Sequence, residues 1–159
     1  MNVLRAAAGA AILWFACVPN ISAQVRVTVP AKSFMVTEKI TATVQNDSDQ
    51  PVTLCVESGQ ISKSGPTAVS TPVPFMIEGR VLGKWKVLMV SPPGAGERKA
   101  VVLEAKKSLE FPFWPPTKGE LRLQMRYWQG AHANLDCANP PPDSHNAKDT
   151  TFAVHSGPK

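Results

Sequence analysis

The chain has no long apolar run, and its sequence therefore predicts no membrane-spanning helix. The longest apolar stretch, residues 6–18, has about 13 residues, whereas a transmembrane helix needs roughly 20. No apolar pattern with helical period persists beyond about two turns. There is also no glycine-rich phosphate loop and no G-x-S-x-G nucleophile motif. These absences argue against a helical domain, and against a nucleotide-binding protein or a serine hydrolase of the common types.

An excess of charge of one sign is also missing. The chain has 17 Lys and Arg residues against 12 Asp and Glu residues, a net charge of +5. The only basic doublets are residues 98–99 and 106–107, and both read as solvated turns. Nucleic-acid binding needs a basic stripe with interleaved aromatic residues. We therefore predict no nucleic-acid partner.

The first residues have the layout of a secretory signal peptide. Arg5 precedes the apolar run, and the small residues Ser22 and Ala23 follow it. We predict a signal peptide at residues 1–23 and one mature domain at residues 24–159, exported to the periplasm or the extracellular medium.

Cysteine is scarce. The chain has three, and signal cleavage removes Cys17, which leaves Cys55 and Cys137. An even number in an oxidising compartment predicts one disulfide, with metal ligation or free thiols as alternatives. Cys55 alternates out of phase with its apolar neighbours, so we expect it on the outer face of its strand, where a bond to Cys137 would pin a loop. The alternative to signal cleavage after residue 23 is lipid attachment at Cys17, although bulky residues precede Cys17.

Alternation with period two is what the sequence does contain, punctuated by 15 prolines and ten glycines. Such alternation is typical of strands with one buried face in antiparallel sheets. We predict an all-β, antiparallel Ig-like β-sandwich of about seven to nine strands, with long loops at 58–73 and 129–149. The strand segments are 25–29, 39–45, 51–57, 74–90 (two strands that meet near 83–84), 100–105, 108–114, 120–128 and 150–155.

Two local predictions depend on this alternation. Residues 41–57, with their polar centre at 46–50, predict a β-hairpin whose second strand starts at Pro51. In the strand that begins at Lys84, the pattern predicts that Trp85, Val87 and Met89 share a core-facing side.

Four segments together resemble bacterial exported Ig-like sandwich domains: EKITATVQNDSDQPVTLCVE, GKWKVL, LEAKKSLEFPF and GELRLQMRY. The layout is also distantly similar to the BsuPI-type proteinase-inhibitor Ig-like domains. The resemblance covers most of residues 25–155, but this chain has Ala105-Lys106 where the related turns often carry Pro-Gly. It implies a fold and the hypothesis of protease inhibition, and it transfers no active-site residue.

The loop 129–149 is the predicted binding site, because loops at the ends of a rigid sandwich are where function usually resides. Its candidate residues are His132, Asp136, Asp143 and His145, together with the anchor Cys137. The spacing H-x4-C-x7-H matches no tight zinc or copper pattern, so we predict no metal and no cofactor. We find no nucleophile with a base and an orienting acid, and we predict a protein that is not an enzyme.

Two tryptophans at strand ends are candidate contacts. Trp114 and Trp128 would either anchor a ligand or close the ends of the core. The sequence thus favours an exported, non-enzymatic Ig-like domain that binds another protein. The alternatives are a protease inhibitor and a carbohydrate-binding module that uses these two side chains.

Overall fold

The structure, a computed structural model, describes residues 24–62, 69–88 and 98–157. The predicted signal peptide, with Cys17, lies outside these residues. The described residues form twelve strands. The strands are β1 (Val25–Thr28), β2 (Ser33–Met35), β3 (Ile40–Asn46), β4 (Val52–Ser62), β5 (Val69–Val73), β6 (Phe75–Val81), β7 (Lys84–Val87), β8 (Arg98–Leu103), β9 (Ser108–Phe113), β10 (Gly119–Gln129), β11 (His145–Asn146) and β12 (Thr150–His155).

The strands form two sheets around one shared core. The smaller sheet has three antiparallel strands in the order β1-β3-β9. The larger sheet has nine strands and is organised around β10, which pairs with β6 and β12 in its first half and with β4 and β11 in its second half. All of the pairs are antiparallel except that between β2 and β12.

Alternating apolar side chains build the core between the sheets. In β10, the side chains of Leu121, Leu123 and Met125 are at most 4% exposed, while the residues between them are only partly buried. Burial of each such side chain contributes about 1.5–3 kcal/mol. Aromatic rings join the two sheets: Phe113 of β9 packs edge-on against Phe75 of β6, with the ring centroids 5.3 Å apart, and against Phe152 of β12 at 6.2 Å.

The predicted Ig-like β-sandwich is confirmed by this two-sheet, largely antiparallel architecture. All nine predicted strands, which lie in eight segments, are present, and the structure adds three further strands, β2, β5 and β11. These three are short, with two to five residues each, and β5 and β11 lie in segments that were predicted as loops. The predicted loop at 58–73 is partly wrong, because β4 extends to Ser62 and β5 begins at Val69.

The predicted hairpin at 41–57 is wrong, because its two arms belong to different sheets. β3 pairs with β1 and β9, whereas β4 pairs with β5, β8 and β10. Residues 47–51 therefore form an arch that crosses from one sheet to the other. Polar turn residues serve an arch as well as a hairpin, and only the pairing of each arm with distant strands distinguishes the two.

The predicted core face of β7 is also wrong. Val87 is 43% exposed and Trp85 is half-buried, whereas Met89 lies outside the described residues. Lys86 pairs with Gly79, and Gly79 pairs with core-facing Leu121. Because paired residues lie on the same face of a sheet, Lys86 faces the core side, and Trp85 and Val87 face outward. Among the described strands, β7 pairs with β6 alone and lies at the edge of the sheet, where the inward-facing Lys86 still reaches water.

Candidate binding groove

The loop 129–149 is fixed to the outer face of β4 by a disulfide. Cys55 and Cys137 are bonded, with their Cα atoms 5.6 Å apart. The side chains of Leu54 and Val56 on either side of Cys55 point into the core and are at most 7% exposed. The predicted bond, and the predicted orientation of Cys55 away from the core, are therefore both present in the structure.

Thr53 gives the same loop a second attachment, which the sequence did not reveal. Its side chain is completely buried on the outer face of β4. The hydroxyl donates to the carbonyl oxygen of Gly130 at 2.8 Å and accepts the backbone N–H of His132 at 2.9 Å. A threonine between Val52 and Leu54 reads as an ordinary outward strand residue, so its role is visible only once the loop is seen above it.

Trp128 lies beneath the loop. It is 5% exposed, and its indole N–H donates to the carbonyl oxygen of Pro141 at 3.1 Å. Of the two roles considered for Trp128, contact with a ligand and closure of the end of the core, the structure favours the second kind, because the indole is covered by the protein's own loop. Alternation along β10 directs Trp128 outward, and the loop buries it there.

A groove runs along the outer face of β10 beside this loop. It consists of two adjoining depressions of about 570 Å³ and 170 Å³, and both are lined by Met76, Gln124 and Arg126. The remaining lining residues of the larger depression are Met125, Ser144, Asn146, Ala147 and Asp149. Those of the smaller depression are Cys55, Glu57, Pro74, Arg98, Trp128 and Cys137.

The charges around the groove are paired with one exception. Arg98 contacts Glu57 at 3.2 Å, and Arg122 contacts Glu78 at 2.5 Å and Asp149 at 3.7 Å. The side chain of Arg126 is exposed, and within the described ranges no carboxylate lies at ion-pair distance from it. The groove therefore presents one guanidinium whose donors are available to a ligand.

The four candidate loop residues lie outside the lining of this groove. The Nε2–H group of His132 donates a 2.6 Å hydrogen bond to the carbonyl oxygen of Gln129. The ring of His145 stacks on that of Tyr127, with the centroids 5.5 Å apart, and Asp143 is exposed. The loop residues that do line the groove are Cys137, Ser144, Asn146, Ala147 and Asp149.

Asp136 has a structural role inside the loop. Its Oδ1 atom accepts the backbone N–H groups of Ala138 at 2.9 Å and Asn139 at 3.3 Å. These hydrogen bonds, that of Ala138 first, lower the pKa of the Asp136 carboxyl below its ordinary value, because they favour the charged form. In the described part of the chain, His, Cys, Asp and Glu side chains form no group of three or more that is arranged to hold a metal ion.

Trp114 offers only part of its indole to a ligand. The side chain is half-buried, and the ammonium group of Lys39 lies 5.6 Å from its ring centroid. One face is therefore engaged in a cation–π contact, which is worth about 0.5–1 kcal/mol at an exposed site.

Comparison with known proteins adds little to this picture. No family model matches the chain, and neither does any curated protein. The resemblance to the BsuPI-type domains therefore has no support from these comparisons. Among solved structures, the ASH/PapD-like domain of human CEP192 (PapD-like domain 7) is similar, with 10% sequence identity, a TM-score of 0.36 and coverage of 99% of each chain. At that TM-score, the description of the fold depends on the strand pairing reported above.

Proposed function

We propose that the mature chain is an exported, non-enzymatic binding domain, and that its ligand is a carboxylate-bearing segment of another protein held in the groove on β10. The observation that carries this proposal is the exposed, unpaired guanidinium of Arg126 between Gln124 and Asn146. Export is supported by the signal-peptide layout of residues 1–23 and by a disulfide, which persists in oxidising compartments.

The chemistry of the groove suits a peptide with an acidic group. A guanidinium presents several N–H donors in a planar fork that matches a carboxylate in two parallel hydrogen bonds. The amide side chains of Gln124 and Asn146 offer donors and acceptors to a peptide backbone, and Met76, which is 38% exposed, offers an adaptable apolar contact.

The wall of the groove is held in place before any ligand arrives. The loop 129–149 is joined to the sheet through Cys137, through the hydroxyl of Thr53 and through the indole of Trp128. Such preorganisation favours binding, because less conformational entropy is lost when the complex forms.

The two alternative functions have weaker support. Sugar binding through tryptophan requires an open ring face, but Trp128 is covered and Trp114 is in contact with Lys39. Protease inhibition was implied only by the resemblance to an inhibitor family, which the comparisons do not support.

The decisive test replaces the unpaired guanidinium. Arg126→Ala should abolish capture of the protein that wild-type chain retains from an extract of the exported fraction of its native host. Binding of a peptide derived from that protein, measured by fluorescence polarisation, should weaken at least tenfold, which corresponds to about 1.4 kcal/mol. Neutralising the acidic residue of the peptide should weaken binding to wild type by a similar factor and leave binding to the variant unchanged.

Lys118→Ala is the matched control, since Lys118 is exposed just before the opposite end of β10 and lies outside the groove. It should behave as wild type in both assays. Equal capture by the Arg126→Ala and Lys118→Ala variants would show that the groove is not the binding site.

A further inference from the structure

The hairpin that joins β6 to β7 ends in an unusual turn. Val81 pairs with Lys84, so the turn consists of only two residues, Leu82 and Gly83. Both have positive φ angles, 50° for Leu82 and 77° for Gly83. Positive φ at both central positions is typical of a type I′ turn, in which Asn-Gly is strongly preferred. Leucine is poorly suited to the first position, because its Cβ crowds the backbone in the left-handed region.

Leu82 gains no burial in return for this conformation. Its side chain is 96% exposed, the highest value among the large apolar side chains of the described residues. A strained residue that stabilises nothing within its own domain indicates a function elsewhere.

The neighbours of Leu82 combine exposed apolar surface with positive charge. Val81 and Val87 are 39% and 43% exposed. Lys84 and Lys86 are exposed as well, and the described residues provide neither with an ion-pair partner. We call residues 81–87 the hairpin tip.

We propose that the hairpin tip inserts into the surface of an anionic lipid bilayer, with Leu82 entering the apolar region and Lys84 and Lys86 contacting lipid headgroups. Trp85 is half-buried on the same strand, and tryptophan is enriched at the boundary between headgroups and acyl chains. One side of the Trp85 ring is held by the guanidinium of Arg122, which lies 4.6 Å from the ring centroid and is itself ion-paired with Glu78 and Asp149, so the positive charge of the tip comes from Lys84 and Lys86.

The size and charge of the tip favour a membrane over a protein partner. A stable protein interface buries about 800 Å² on each partner, from roughly 20–30 residues, whereas the tip has seven residues. Binding to a bilayer surface requires no such extended interface, because its strength increases with the buried apolar area and by about 1 kcal/mol for each lysine near anionic lipid. The described part of the chain contains no helix with the length and hydropathy to span a bilayer, and this proposal requires none.

The test is sedimentation with lipid vesicles, using the mature chain and the variant Leu82→Asn. Asparagine tolerates the left-handed conformation, so the variant should fold with an unchanged or higher melting temperature. Wild type should sediment with vesicles of phosphatidylcholine and phosphatidylglycerol, and less with phosphatidylcholine alone. Leu82→Asn should lower the partition coefficient at least fivefold. If Leu82 had only a structural role, a variant with an unchanged or higher melting temperature would not bind vesicles more weakly.

Charge variants separate the contribution of the lysines from that of the inserted Leu82 side chain. Lys84→Gln with Lys86→Gln should weaken vesicle binding and reduce its dependence on salt. The matched pair Lys32→Gln with Lys118→Gln removes two exposed lysines elsewhere and should bind as wild type. Arg126→Ala should bind vesicles as wild type does, because Arg126 lies in the groove and not in the hairpin tip. Membrane binding by the tip therefore does not depend on peptide binding in the groove. Absence of vesicle binding by wild type, or equal binding by Leu82→Asn, would overturn the proposal.

Discussion

Asn46 joins the two sheets at one end of the sandwich through its side-chain amide. The residue ends β3 in the smaller sheet and is completely buried. Its Nδ2 atom donates to the carbonyl oxygens of Leu103 and Glu104, both at 3.2 Å, at the end of β8 in the larger sheet, and to that of Gln50 at 2.8 Å. Its Oδ1 atom accepts the backbone N–H of Ser48 at 3.0 Å. One amide thus satisfies several backbone groups of the arch and of the opposite sheet.

Replacing Asn46 should destabilise the fold. Asn46→Ala leaves buried carbonyl groups without donors, and we expect a loss of about 2–4 kcal/mol in the free energy of unfolding, since each unpaired buried group costs about 1–3 kcal/mol. Asn46→Asp should also destabilise, because a carboxylate cannot donate to the carbonyl oxygens. Urea denaturation measures both.

Ser48→Ala is the graded control for Asn46. It removes the Ser48 hydroxyl that donates to Oδ1 of Asn46 at 2.7 Å but leaves the amide donors in place. Its effect should be smaller than that of Asn46→Ala. Equal effects of the two variants would show that the contacts across the sheets add nothing.

Asp136 predicts a dependence on pH. The pKa of its carboxyl is lowered in the folded chain, so on acidification the unfolded state takes up the proton first. The stabilisation by Asp136 is therefore present above its unfolded pKa of about 3.9 and is lost as pH falls through the lower folded pKa. Wild type should be more stable than Asp136→Asn at pH 7, and the two melting temperatures should converge below about pH 4.

An NMR titration of the Asp136 carboxyl carbon gives the direct measurement. We expect a midpoint below the ordinary value of about 3.9. A midpoint at or above that value would mean that the hydrogen bonds from Ala138 and Asn139 do not favour the charged carboxylate.

At the scale of elements, the loop 129–149 depends on its disulfide. The bond closes a segment with a sequence separation of 82 residues, for which the chain-entropy model gives about 4–5 kcal/mol of stabilisation. Replacing both cysteines with serine should lower the free energy of unfolding by about 2–4 kcal/mol. It should also loosen the cover over Trp128, so that its fluorescence emission shifts to longer wavelength.

Reduced wild type is the control for this pair of substitutions, and it should show the same shift. Thr53→Val supplies an independent comparison, because it removes the second attachment of the loop and keeps the disulfide. Emission that stays unchanged after the bond is removed would show that Thr53 and Trp128 hold the loop without it.

The β6–β7 hairpin and the β3–β4 arch show where local patterns stop being informative. Alternation located β7 correctly but assigned its faces in the wrong phase, because the inner face at Lys86 reaches water at the edge of the sheet and therefore need not be apolar. The polar residues at 46–50 predicted a turn, which is present, but not the sheet in which each arm pairs.

At the scale of the whole molecule, the groove is a product of sheet topology. β6 pairs with residues 121–125 of β10, and β4 pairs with residues 127–129 along the same side of that strand. Gln124 and Arg126 lie on the outer face of β10 at the point where β6 ends and β4 begins as its neighbour, and residues 144–149 form part of the groove wall there. No spacing in the sequence marks Arg126 as different from Arg122, which is ion-paired.

Alternation in the sequence identified nine of the twelve described strands, the core-facing residues of most of them and the outward direction of Cys55, because a period of two residues is a local property of an extended chain. It also left Cys137 as the only partner for Cys55 once residues 1–23 are taken as a signal peptide. The folded structure was needed to establish which strands are neighbours, that Trp128 lies beneath a loop and that Leu82 is exposed to water with a strained backbone. Those properties depend on contacts between residues far apart in sequence, and alternation carries no information about them.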